Sequence, residues 1–263
     1  LLSERYFVVS FDQYGVYRSG ALRDDERFGM REHIEQMEAL RGLLRIPKWI
    51  LLGHSYGGML VCYYPYLHPE SVLASLYENP GWYFLKNVKT IAKSYLDRYY
   101  AFHPNETEGM AAAQAIIATD YTASPGDSVW DILRAQAYVK DKRVTMYMHS
   151  VEPDAYFALF RKSHAEWEAT EEEVDAKELR HIEKLVEAGD MFLDHRPELS
   201  ANQAPALLIS GRYDPVCVEE DRQYFRDHAP YGKVVVLENS AHHPRLEQKQ
   251  EYLQEIFAFL KEN

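Results

Sequence analysis

Residues 50–58 read Ile-Leu-Leu-Gly-His-Ser-Tyr-Gly-Gly, an apolar run that ends in Gly-x-Ser-x-Gly around Ser55. A serine raised on a sharp strand-to-helix turn presents its Oγ for attack on a carbonyl carbon, and such a turn demands small neighbours. Gly53 and Gly57 are therefore expected where a Cβ would clash. The flanks supply the setting: Trp49 to Leu52 has the pattern of a short buried strand, and Met59 to Leu67 is an apolar, helix-like run. A structural glycine turn without chemistry is the alternative for the same pattern.

A neutral serine is a weak nucleophile. It needs a histidine to take its proton and a carboxylate to orient that histidine and stabilise its cation. Both types recur downstream at the ends of strand-like runs, where open α/β sheets gather their active sites. Ala206 to Ser210 runs into Gly211-Arg212-Tyr213-Asp214-Pro215, and Lys233 to Leu237 runs into Glu238-Asn239-Ser240-Ala241-His242-His243-Pro244. Asp214 and His242 are thus the candidate acid and base, against the alternatives of a turn-capping carboxylate and a surface loop histidine. His243 competes with its neighbour, but Pro244 confines it to extended backbone and can itself open the last helix, which favours His242. The backbone N–H of Tyr56, directly after the serine, is the expected donor to an oxyanion. His54 is read as a packing residue. His149, His164 and His195 lack companions at metal-ligand spacing and are read as surface or lid residues, so no metal or organic cofactor is required.

These side chains must be held by a sheet. Arg5 to Phe11 is β-branched and aromatic and ends in Asp12-Gln13-Tyr14-Gly15, so it predicts a buried strand and a turn. Arg31 to Leu44 carries Ile34, Met37, Leu40, Leu43 and Leu44 at helical spacing, and Val72 to Tyr77 predicts a further strand. Strand and helix alternate as in a mostly parallel sheet flanked by helices. From Pro80 to Leu199 helical patterns dominate, the mark of an inserted helical lid, and Ala165 to Ala188 reads as a charged helix with a solvated face. The expected division is core at 1–79, lid at 80–199 and core again at 200–263. A helix through Tyr224 and an amphipathic helix at Gln250 to Leu260 complete the second core part. Trp82, Tyr83 and Trp130 are loose candidates for an apolar wall, with core packing as the ordinary role of each.

The 263 residues, 46% of them hydrophobic, suffice for a large core. A net charge of −12, from 41 acidic against 29 basic residues, argues against nucleic acid or an anionic membrane as partner. A small molecule or short peptide is the expected ligand. The two cysteines, Cys62 and Cys217, make no disulfide framework, and with no signal-peptide pattern or bilayer-long apolar run the expected location is the cytoplasm.

With these residues assembled, the chain resembles the α/β-hydrolase superfamily, and within it the proline iminopeptidase branch of serine aminopeptidases. The resemblance rests on Phe11-Asp12-Gln13-Tyr14-Gly15 with Arg18-Ser19, on Ile46-Pro47-Lys48-Trp49, on His68-Pro69-Glu70-Ser71-Val72 and above all on Gly211-Arg212-Tyr213-Asp214-Pro215-Val216-Cys217. It implies the order serine, acid, histidine, and removal of an N-terminal residue from small peptides. It also implies lid glutamates that hold the substrate ammonium, which makes Glu168, with Trp167 before it, the candidate amine anchor. Glu152 with Tyr156 and Phe157 stands in the wrong order to match a second such glutamate. Two departures favour a general hydrolase of esters, lactones or carbon–carbon bonds: the elbow is Gly-His-Ser-Tyr-Gly rather than Gly-Gly-Ser-Trp-Gly, and Tyr17 stands where that branch has glycine. Epoxide hydrolases and dehalogenases of this fold use an aspartate nucleophile and are disfavoured. The superfamily also has a strand and a His-Gly loop ahead of the Arg5 segment, the loop supplying a second oxyanion donor. The expectation is therefore a chain shortened at its N-terminus, with a non-catalytic binding protein as the reading from another class.

Overall fold

The computed structural model describes residues 2–139, 146–149 and 170–263. Its centre is a parallel sheet of β1 (Trp49–His54), β2 (Val72–Glu78), β3 (Ala206–Gly211) and β4 (Gly232–Leu237), in that spatial order. Every pairing is parallel, with Leu52 opposite Leu76, Tyr77 opposite Leu208 and Ile209 opposite Val235. All four strands therefore end at one edge, where their loops meet.

Helices cover both faces, as a parallel sheet requires. On one face lie α1 (Met30–Leu43) and α2 (Tyr56–Leu67), where Ile34, Met59, Tyr64, Leu208 and Phe225 share a buried cluster. Between β2 and β3 the chain forms α3 (Phe84–Tyr95), a five-residue π-helical turn over Leu96–Tyr100, then α4 (Thr107–Ala118), α5 (Asp127–Val139) and α6 (Glu171–Ala188). Val88, Tyr95, Ile116 and Ile132 make a cluster of their own among α3 to α5. After β3 come α7 (Glu219–His228), the short α8 (Pro244–Glu247) and α9 (Lys249–Glu262), whose Tyr252, Ile256 and Phe259 seal the other face against Ala74, Leu76 and Leu207. Helix α6 begins with a capping box, in which Thr170 Oγ1 accepts from the Glu173 N–H and Glu173 returns the bond to the Thr170 N–H.

The predicted strand at Arg5 to Phe11 does not form. Among the described residues no strand lies beside this segment, and a groove of about 550 Å³ lies between it and β1. β-propensity describes fit to a pleated surface, and without a neighbour's ladder the segment stays irregular, with Phe7 83% exposed. The turn after it has a second consequence: Tyr17 adopts φ 48°, a left-handed conformation in which glycine is favoured.

Candidate active site

The turn between β1 and α2 is built by close backbone approach. A Cβ on Gly53 would stand 2.1 Å from the Gly57 carbonyl oxygen, so this position admits only glycine. Gly57 itself has open space around its Cα, contrary to expectation, and the second crowded position is Gly58, where a Cβ would meet Pro80 Cβ at 2.5 Å. Ser55 stands between them at φ 56° and ψ −118°. Strain of this kind costs on the order of 1–3 kcal/mol and survives only where the surroundings over-determine it. Here the Ser55 N–H donates to the Glu78 carbonyl at 3.1 Å, and the Ser55 carbonyl accepts from the N–H groups of Gly58 at 3.0 Å and Gly81 at 3.1 Å. The next residue, Tyr56, is the first of α2, so its N–H has no acceptor within the helix and forms part of the positive end of the helix dipole.

Asp214 follows β3 and is buried. Its Oδ1 accepts from the Val216 N–H at 3.2 Å and its Oδ2 from the Cys217 N–H at 2.7 Å. The remaining donor is His242, whose Nδ1–H meets Oδ1 at 2.7 Å. That bond places the proton on Nδ1 and leaves the Nε2 lone pair of the neutral imidazole available as an acceptor. Among the described residues the imidazole that bonds Asp214 is that of His242 and not that of its competitor His243, whose pKa burial and the neighbouring His242 and Arg245 charges push down to about 2.

Sequence reading missed the groups that hold these loops together. Asn79, fully buried at φ 43° just after β2, donates from Nδ2 to the Ala241 carbonyl at 2.8 Å and accepts at Oδ1 from the Gly211 N–H at 3.0 Å. It thereby ties the acid strand to the histidine loop. The two are also pressed together at Gly211, where a Cβ would stand 2.0 Å from the Ala241 carbonyl oxygen. His54 Nε2–H donates to the His242 carbonyl at 2.8 Å, with ring centroids 4.5 Å apart, so this elbow residue positions the histidine loop. Burial, with the nearby His242 and Arg245 charges, holds its pKa well below the usual histidine value, so it stays neutral. Glu78 is 2% exposed; Arg245 Nη1 pairs with it at 2.8 Å and the Tyr252 hydroxyl donates to it at 3.1 Å, anchoring the start of α8. Asn79 and Glu78 do share one legible signal with Asp214, their position at a strand's carboxyl end.

Ser55 reaches this cluster through its neighbour His54, although among the described residues no hydrogen bond joins Ser55 Oγ to His242. Trp167 and Glu168 lie outside the described residues, as do Glu152, Tyr156, Phe157 and His164. Trp82 is a core residue, stacked on Phe225 at 5.7 Å, while Trp130 is half-buried on α5 and Tyr83 lies under the Arg196 guanidinium. His195 is buried and donates from Nε2 to the Asp190 carbonyl at 2.9 Å, so it is not a surface residue. Both cysteines are buried and unpaired, and among the described residues no cluster of His, Cys, Asp or Glu could hold a metal ion. No described helix is long and apolar enough to cross a membrane.

Comparison with known proteins agrees with this architecture. A proline iminopeptidase from Saccharolobus solfataricus is 22% identical over 265 residues, which span 96% of this chain and 75% of that protein. The crystal structure of a proline iminopeptidase from Mycobacterium smegmatis superposes with a TM-score of 0.61 at 18% identity, covering 95% of this chain and 78% of the other. An esterase from Exiguobacterium antarcticum superposes with a TM-score of 0.60 at 13% identity, covering 95% and 80%. Residues 1–248 match the pattern of the alpha/beta hydrolase fold as a family, and the chain belongs to that family.

Proposed function

We propose that the chain is a serine hydrolase acting through an acyl-enzyme, and that its substrates are short peptides from which it releases the N-terminal residue. The observation that carries the reading is the 2.7 Å bond from His242 Nδ1–H to Asp214, made beside a strained serine elbow. It sets the tautomer that a general base needs. In the proposed reaction His242 Nε2 takes the Ser55 proton as Oγ attacks the substrate carbonyl. Asp214 supports the imidazolium, and the Tyr56 N–H donates to the developing oxyanion. The imidazolium then protonates the leaving amine. Water, deprotonated by the same nitrogen, attacks the acyl-enzyme and returns Ser55 to its neutral form.

The choice of a free N-terminus is supported by the Gly211–Cys217 motif and by relatives named proline iminopeptidase. Glu168, with Trp167, is the proposed ammonium anchor, and residues 80–199 are the proposed lid. A second reading, hydrolysis of esters or lactones, is favoured by the Gly-His-Ser-Tyr-Gly elbow and by the likeness to an esterase structure. A fluorophosphonate probe tests the chemistry. Labelling of the wild type that disappears in Ser55→Ala is the expected result, and a folded, unlabelled wild type would replace the enzyme with a hydrolase-fold binding protein. Chromogenic Pro-, Ala- and acyl-ester substrates then decide between the two activities: cleavage of esters but of no free-amine substrate would sink the aminopeptidase reading.

A further inference from the structure

Residues Met146–His149 form a short segment that belongs in sequence to the helical stretch between β2 and β3 yet touches both loops of the candidate relay. The His242 backbone N–H donates to the Tyr147 carbonyl at 2.9 Å, and the Tyr147 ring lies 5.3 Å from the His242 ring. The His149 ring stacks on Tyr213, next to Asp214, with centroids 3.8 Å apart, and the His149 N–H donates to Glu247. Glu247 in turn accepts from the Ala241 N–H at 2.7 Å and the Ser240 hydroxyl at 3.2 Å, directly before His242. Met146 and Met148 are buried, which fixes the segment from beneath.

One side chain closes this arrangement. Arg98, on the π-helical turn after α3, donates from Nη1 to the Met146 carbonyl at 3.0 Å and from Nη2 to the Tyr213 carbonyl. Its planar fork meets two carbonyls that belong to segments 67 residues apart in the chain (213 − 146). Turns of this wider kind recur where a helix must aim a residue at a functional site. Burial lowers the pKa of the half-buried guanidinium from its ordinary value, and the Asp214 charge opposes that shift.

We propose that Arg98 is a positioning residue for the Asp214–His242 pair: it latches the Met146–His149 segment to the acid loop, and through the Tyr147 carbonyl that segment holds the His242 backbone in register with Asp214. The inference rests on the reading of Ser55, His242 and Asp214 as a nucleophile with its relay. Its consequence is kinetic. Without the fork, the imidazole wanders relative to Ser55 and the chemical step slows, while binding of a probe to the surrounding surface changes little.

The test uses Arg98→Ala and Arg98→Lys, with Arg212→Ala as control, since Arg212 is an exposed cation on the same loop that pairs, among the described residues, with Glu238. The maximal rate of fluorophosphonate labelling is expected to fall about 10- to 100-fold in Arg98→Ala, with half-saturation moving less than about twofold. Arg98→Lys, which keeps the charge but loses the fork, is expected to lie between, and it carries the test if the alanine variant fails to fold. A second readout needs no activity: the low-field ¹H resonance of the His242 Nδ1–H bonded to Asp214 is expected to broaden in both Arg98 variants and to persist in Arg212→Ala. Wild-type labelling rates together with an unchanged resonance in the Arg98 variants would overturn the proposal. An unlabelled wild type would instead remove the hydrolase reading, and the resonance would still decide the latch.

Discussion

The two flanks of the sheet are built in opposite ways. Beyond β3 and β4, polar groups are buried and paired. Asp214 takes three donors, Asn79 bridges two loops, and Arg222 donates from Nη1 to Ser210 Oγ at 3.0 Å and to the Cys217 carbonyl at 3.0 Å. Beyond β1 the sheet order of the described residues ends, and the groove there is lined mostly by apolar residues, with Phe7 83% and Leu52 45% exposed. A buried polar network has one low-energy arrangement, because each misplaced group forfeits a bond it cannot recover from water. An apolar groove imposes no comparable geometry. Chemistry that needs sub-ångström placement therefore belongs on the paired flank.

Breaking the paired flank at its centre should give the largest effect. Asp214→Asn keeps the shape but reverses the donor pattern at His242 Nδ1, and the turnover of a chromogenic substrate is expected to fall about 10⁴-fold with the circular dichroism spectrum unchanged. Retention of more than a tenth of the activity would mean that Asp214 does not serve the histidine. One step outward, Asn79→Ala strands the Ala241 carbonyl and the Gly211 N–H in a dry site, for a loss of about 1–3 kcal/mol in urea unfolding. An unchanged midpoint would show that the bridge does not hold the two loops.

Acid should reveal the buried histidines next. His33 is 1% exposed with no hydrogen-bond partner on either ring nitrogen among the described residues, and burial pushes its pKa from 6.5 down to about 3. The unfolded chain takes a proton that the folded chain refuses, so stability is lost as pH falls from about 6.5 towards 3. His54 and His243 act in the same direction. Glu38, held at about 2 chiefly by Arg41 against an ordinary 4.5, adds a loss only below 4.5. His33→Phe is expected to flatten the stability profile between pH 6.5 and 4.5; an identical slope would contradict the assignment. The smallest effect belongs to the open flank: Phe7→Ser should change unfolding free energy by less than about 0.5 kcal/mol while reducing binding of an apolar dye. A loss of several kcal/mol would mean that the groove is a packed core.

Much of this was legible beforehand. Strands β1 to β4 are short apolar runs closed by Gly, Pro or polar turns, so they stand out from the helices around them. Ser55, Asp214 and His242 could be singled out as candidates because strand ends converge whenever the strands are parallel, and the structure brings Asp214 and His242 into contact. Arg5 to Phe11 misled because its composition suits a strand, while a strand also needs a neighbour to bond. Gly57 misled because the motif's spacing does not say which glycine is crowded. His54, Asn79 and Arg98 were silent, since each acts on a residue more than 45 positions away along the chain.

Periodicity, turn residues and residue chemistry are local properties, and they were enough to determine the parallel α/β architecture and the tight serine turn between β1 and α2, and to single out Asp214 with the adjacent His242 and His243 as candidates. Tertiary structure alone decided which histidine meets Asp214, which glycines are tight and which side chains brace the loops. Those outcomes depend on distances of 2–3 Å between segments that only the packing of helices on the sheet brings together.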